Sequence, residues 1–170
     1  MDIAGKKFLR DRLDSIFTLS QPKIFSGGTE VGAFAGLRTL YNQGNQPCLH
    51  ISWLFNEANR PSKTQKWVRA ILNDFYGTDG IHGYGYGQDE DQGQLGAWYV
   101  ISSIGLFSIT GLNDINPTFS LGSCLFDRVT IRLNQKYYPG KYFHITTGGS
   151  APGKHTPEDI YIQEYRLNGD

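Results

Sequence analysis

Two cysteines, one methionine and four histidines in 170 residues leave little material for sulfur chemistry or a cluster of imidazoles. Cys48 and Cys124 allow one disulfide at most, which excludes a disulfide-stapled scaffold, and neither sits in a nucleophile motif. They read as two buried thiols. His82, His144 and His155 have no pairing at metal-ligand spacing, so no zinc site is expected. Charge of one sign is also missing, because 16 Lys and Arg balance 16 Asp and Glu. Without a basic patch, neither nucleic acid nor an anionic membrane surface is an expected partner. No apolar run approaches the ~20 residues of a spanning helix. Lys6 and Lys7 are not followed by the apolar stretch of a signal peptide. What is plentiful is aromatic side chains, 14% of the chain, and glycine, 21 residues. That composition describes a soluble domain, or the ends of two, and no particular activity.

The apolar pattern changes period near residue 110. Before it, Phe8, Leu9, Leu13, Ile16 and Phe17 form a helical stripe opposite Asp11, Arg12 and Asp14. Leu49, Trp53, Leu54 and Phe55 predict a second helix. A third starts at Pro61 and runs through Trp67, Val68, Ile71, Leu72 and Phe75, with Gly77 placed to stop it. A fourth spans about 92–107 and is apolar nearly all round, which predicts burial on most sides, with Gly96 and Gly105 marking close contacts. After residue 110, Val129, Ile131 and Leu133 alternate with Thr130 and Arg132 as in a half-buried strand. The stretches 142–146 and 160–162 predict further strands. Helices followed by strands, without alternation, predict an α+β fold rather than a parallel βαβ sheet. The division expected is 1–110 helical and 111–170 β-rich.

Two segments carry candidate chemistry. Asp89, Glu90 and Asp91 follow the glycine-rich Gly83–Gly87 and precede the fourth helix. Asp91 could cap that helix, with the negative charge favoured there by ~0.3–1 kcal/mol. One carboxylate would do for that; three in a row repel one another and point equally to catalysis or metal binding. The glycine run lacks the spacing of a dinucleotide fingerprint, and the acidic residues lack the closing Glu of a calcium EF-hand. The second segment is Gly44-Asn45-Gln46-Pro47-Cys48-Leu49-His50, a turn leading towards the second helix. Its Asn, Gln and His could meet sugar hydroxyls or give neutral ligands to calcium, or His50 could be purely structural.

Taken with Trp53-Leu54-Phe55-Asn56, Arg60-Pro61-Ser62-Lys63-Thr64-Gln65 and Asp89 through Val100, the Gly-Asn-Gln-Pro turn closely resembles the C-terminal region of family 92 glycoside hydrolases. Leu121-Gly122-Ser123-Cys124-Leu125-Phe126-Asp127, Tyr161-Ile162-Gln163 and Leu167-Asn168-Gly169 continue the resemblance in the same order. Members are calcium-dependent, inverting exo-α-mannosidases. The resemblance implies the final helices of an (α/α)6 barrel followed by antiparallel strands of a C-terminal β structure, as part of a longer enzyme. It implies a mannose-containing glycan as partner, hydrolysis of terminal α-1,2-linked mannose, Ca2+ as cofactor, and a periplasmic or secreted home.

By that resemblance Asp89 and Asp91 are the paired aspartates, one of them the general base. Asn45, Gln46, His50, Lys63 and Gln65 lie on substrate-binding motifs, and Asn45 and Gln46 lie beside the metal. An inverting hydrolase sets its acid and base roughly 6.5–9.5 Å apart on opposite faces of the sugar. The family's general acid lies upstream of every residue here, so the chain alone is expected to be inactive, and uncovered faces could drive self-association. Gln46 stands where the family commonly has Glu, Leu49 where it commonly has His, and Ser62 where Trp is usual. Gln keeps a carbonyl oxygen but lacks the charge that favours a hard cation. A catalytically incomplete, mannoside-binding remnant is therefore the alternative. A purely structural domain, its carboxylates only a helix cap, is a third.

Overall fold

A computed structural model of the chain describes residues 5–25, 41–77, 92–111, 113, 115–148 and 157–168. Its described elements are four helices, α1 (Gly5–Ser20), α2 (Leu54–Glu57), α3 (Pro61–Asp74) and α4 (Gln94–Ser103), and four strands. The strands, β1 (Leu106–Phe107), β2 (Ser120–Leu121), β3 (Arg128–Arg132) and β4 (Tyr142–Thr146), form two antiparallel pairs, β1–β2 and β3–β4. The mixed, helix-then-strand order is the one the periodicity predicts.

The apolar stripe of α1 turns Leu13 and Phe17 inward, while Lys7 and Asp11 pair on the exposed face at 2.7 Å. Pro61 occupies the first turn of α3, where its missing N–H costs nothing. Thr64, Trp67, Val68, Ile71 and Leu72 line the buried face of α3. The two helices meet through Phe17 stacked on Trp67, ring centroids 5.6 Å apart, with Tyr41, Phe55 and Phe25 closing round Phe17 at 4.7, 5.9 and 6.5 Å. All five rings are essentially inaccessible to solvent. Aromatic pairs at these separations contribute about 0.5–1.5 kcal/mol each beyond the area they bury.

The expected second helix is instead a pair of 3-10 turns, Gln46–Cys48 and Ile51–Trp53, and the single turn of α2. It ends because Asn59 takes a left-handed backbone (φ 58°). Arg60 N–H then donates to Phe55 O at 2.8 Å and Asn59 N–H to Asn56 O at 3.1 Å, the two bonds of a Schellman cap. The third helix ends at Asp74, before the glycine expected to stop it, and Tyr76 turns inward to stack on Trp98 at 5.9 Å and 9°.

The fourth helix is shorter than its apolar run predicts. It stops at Ser103, and Gly105 (φ 79°) redirects the chain so that Leu106–Phe107 can pair with Ser120–Leu121. A Cβ at Gly105 would lie 2.8 Å from Gly122 O, so this is the close contact that the glycine marks. Nor is α4 buried on most sides. Leu95, Trp98 and Ser102 face inward, whereas Val100 is 63% exposed and Tyr99 37%. An all-round apolar helix needs neighbours on two sides, and among the described residues α4 packs on one.

In β3, Val129 and Ile131 turn to the partly buried face opposite Ile145 and Phe143 of β4. The stretch 160–162 is not a strand. Residues 157–160 form a 3-10 turn, and Ile162 N–H donates to the side-chain Oε1 of Gln65 at 3.0 Å, where a strand would need a backbone acceptor.

Candidate functional site

The best-defined polar turn among the described residues is Asn42–Leu49. Asn42 starts it by accepting twice, from Gly44 N–H on its side-chain Oδ1 at 2.9 Å and from Asn45 N–H on its backbone O at 3.2 Å. Such an Asx turn lets a short side chain replace a backbone partner. Cys48 N–H then closes on Asn45 O at 2.8 Å. Asn45 is extended (φ −97°, ψ 109°) and begins the 3-10 turn without using its side chain as a cap. The amide of Asn45 is exposed, that of Gln46 half-buried, and His50 stands exposed just after them. Asn45 and Gln46 thus lie on one turn, and His50 begins the 3-10 turn that follows it.

Beneath the turn lies a buried polar chain that the sequence reading passed over. Gln43 is fully enclosed. Its backbone N–H donates to Phe25 O at 2.8 Å, its Oε1 accepts from the Tyr41 hydroxyl, and its Nε2 donates to the Tyr76 hydroxyl at 3.1 Å. Tyr76 O–H in turn donates to Leu95 O, in the first turn of α4, at 3.1 Å. One helical turn further on, Trp98 Nε1 donates to Leu49 O at 2.9 Å. Burial holds the Tyr41 phenol well above its ordinary value of 10.0, with Cys48 and Tyr76 adding to the rise, so it remains a neutral donor. The signal in sequence was a Gln flanked by Tyr41 and the turn glycine, but its partner Tyr76 lies 33 residues away.

Lys63 and Gln65 occupy the first turns of α3, and both have partners within the fold. Lys63 Nζ lies 3.1 and 3.0 Å from the two carboxylate oxygens of Asp14, and Trp67 Nε1 donates to Asp14 Oδ1 at 3.0 Å. Partial burial pushes the Asp14 carboxyl up, but the bonds from Lys63 and Trp67 outweigh it and the net shift is downward. Gln65 is buried and holds the C-terminal segment at Ile162. Burial pushes both thiols up, so neither Cys48 nor Cys124 is poised as a thiolate; Cys124 is buried and Cys48 only half so. Asp89 and Asp91 lie outside the described residues.

Asn45 and Gln46 offer carbonyl oxygens of the kind calcium takes. Among the described residues, however, no group of three His, Cys, Asp or Glu side chains could hold a metal ion. The turn alone does not complete a calcium site. Beside the turn, an open and almost wholly apolar groove of about 580 Å³ runs along α4, lined by Leu49, Gln94, Ala97, Val100, Ile101 and Phe107.

Residues 2–170 match the model of the glycosyl hydrolase family 92 catalytic domain. Among solved structures, a family GH92 alpha-mannosidase from Bacteroides thetaiotaomicron in complex with mannoimidazole is 28% identical, with a TM-score of 0.70 over 98% of this chain. Another structure of that alpha-mannosidase is 31% identical, with a TM-score of 0.62 over 88% of the chain. The chain spans 20% and 17% of the lengths of those two structures. No curated protein sequence matches it.

Proposed function

Because this chain belongs to the glycosyl hydrolase family 92 catalytic-domain family, we propose that it forms the C-terminal catalytic portion of an inverting exo-α-mannosidase acting on terminal α-1,2-linked mannose. The observation that carries the reading is the Asn42–Leu49 turn. It presents Asn45 and Gln46 on a hydrogen-bonded frame, with His50 just beyond its end, and belongs to a chain whose fold is similar to part of an alpha-mannosidase structure in complex with mannoimidazole.

In this reading the turn recognises mannose hydroxyls. Amide and imidazole groups can both donate to and accept from them. Asp89 and Asp91 supply the base side: one takes a proton from the attacking water, and the other holds that water or raises its partner's proton affinity. Asn45 and Gln46 border a calcium ion whose remaining ligands come from elsewhere, held more weakly for want of a carboxylate at position 46. Lys63 and Gln65, at the start of α3 and bonded to Asp14 and to Ile162, are further substrate-binding residues in this reading. The exposed apolar face of α4 is the surface through which copies of the isolated chain would associate, and the reading places the enzyme in the periplasm or outside the cell.

The test is a calorimetric titration of mannoimidazole into the chain, compared with Asp89→Ala and Asp91→Ala. Loss of a charged hydrogen bond should weaken binding by roughly tenfold or more in each variant. Absence of binding to the wild type, or unchanged affinity in both variants, contradicts the proposal. The remnant reading shares the turn but not the role of the aspartates, and predicts binding that both variants retain.

A further inference from the structure

The turn that carries Asn45 and Gln46 is fastened to α4 at two places one helical turn apart. At its start, Gln43 reaches Leu95 O through the Tyr76 hydroxyl, with bonds of 3.1 Å on either side of that oxygen. At its end, Leu49 O accepts from Trp98 Nε1 at 2.9 Å. Leu95 and Trp98 are both buried on the inward side of α4. Gln43, with its backbone N–H on Phe25 O and its amide shared between two tyrosines, is a buried polar side chain where an apolar one would pack at lower cost in desolvation. Packing alone therefore does not account for a glutamine here. What the polar chain adds is direction, since hydrogen bonds fix distance and angle where apolar contact allows sliding.

We propose that Gln43 and Tyr76 are positioning residues, which hold the Asn45–Gln46 turn at a set height and angle on α4 so that its side chains meet the sugar without reorganisation. The inference rests on the mannoside reading of the turn given above. Neither residue touches the ligand. Both act through the turn backbone, where Gly44 and Asn45 N–H groups are held on Asn42. Binding to a turn already in its bound shape avoids the ordering cost that a loose turn would have to meet.

The experiment titrates mannoimidazole into the full 170-residue chain as wild type, Tyr76→Phe and Gln43→Met, each shown by circular dichroism to be folded at the working temperature. Tyr76→Phe keeps the ring stacked on Trp98 and removes only the hydroxyl; Gln43→Met keeps the volume and serves if the first variant does not fold. Amide exchange at Gly44 and Asn45 is followed without ligand. Each variant removes two hydrogen bonds, those on either side of the Tyr76 hydroxyl or those from the Gln43 amide to Tyr41 and Tyr76, and should raise both the dissociation constant and the exchange rates about tenfold or more. Asn56→Ala is the control: it breaks the 3.1 Å bond from Asn56 Nδ2 to Leu121 O at a different joint, lowering the melting temperature without changing affinity or exchange at the turn. Wild-type affinity and exchange in both variants overturns the proposal, and so does an equal loss of affinity in the control. A wild-type chain that binds no mannoimidazole overturns the mannoside reading, and the positioning role with it. A wild-type chain that binds, with variants that bind equally well, overturns the positioning role alone.

Discussion

Gly93 and Gly105 bracket α4 with the same left-handed backbone, φ 79° at each, but with different surroundings. A Cβ added at Gly93 would meet nothing within 4 Å. At Gly105 it would lie 2.8 Å from Gly122 O, 3.0 Å from Cys124 N and 3.2 Å from Ser123 C, all main-chain atoms. That segment cannot swing away like a side chain, because Gly122 N–H donates to Gly105 O and Leu125 N–H to Ser103 O, each at 2.8 Å. An alanine in the left-handed region costs about 1–2 kcal/mol. Forcing atoms into a filled space adds about 1–3 kcal/mol. Gly93→Ala should therefore lose about 1–2 kcal/mol and Gly105→Ala about 2–5 kcal/mol, the latter a large share of an ordinary domain's 5–15. Urea unfolding followed by the fluorescence of the buried Trp53, Trp67 and Trp98 measures both, provided the denaturant slopes agree. If the two variants fall within about 0.5 kcal/mol of each other, the joint between α4 and the strands is looser than described and the reasoning fails.

Two further outcomes follow from charged groups. The Asp14 carboxyl lies below its ordinary value of 3.8 in the folded chain, so its bonds to Lys63 and Trp67 stabilise the fold above that value and lose effect as pH falls through the lowered one. The melting temperature of Asp14→Asn should accordingly sit below wild type at neutral pH, with the gap closing below about pH 4; a gap constant into strong acid contradicts the pairing. Gln46→Glu puts a carboxylate at this half-buried position and should tighten calcium binding on the order of tenfold by calorimetry. Equal calcium affinity in the two chains would place the ion away from this turn.

What the sequence disclosed depended on the reach of the contact involved. The stripes of α1 and α3 and the alternation of β3 are set by neighbours within a turn or a pleat, and they were readable. The run 49–55 carries helical spacing, yet Trp53 packs beneath Phe107 at 5.4 Å and beside Gly122, and the chain bends through 3-10 turns to put it there. Ile160-Tyr161-Ile162 has a strand's residues, but its backbone donor goes to a side chain 97 positions earlier. At the site, Gly44, Asn45 and Pro47 announced the turn, because proline fixes its own φ while glycine and asparagine tolerate the backbone angles that turns need. The partners of Lys63 and Gln65, and the bond from Gln43 to Tyr76, join segments that no local pattern relates.

The most direct test of the account is a crystal structure of this chain grown with calcium and mannoimidazole. It should show the ligand's hydroxyls against Asn45, Gln46 and His50, with the Asn42–Leu49 turn unmoved and an aspartate from 89–91 on the side of the ring where water attacks. A well-ordered structure in which the ligand lies elsewhere, or in which the turn stands clear of any sugar at saturating concentration, would contradict it.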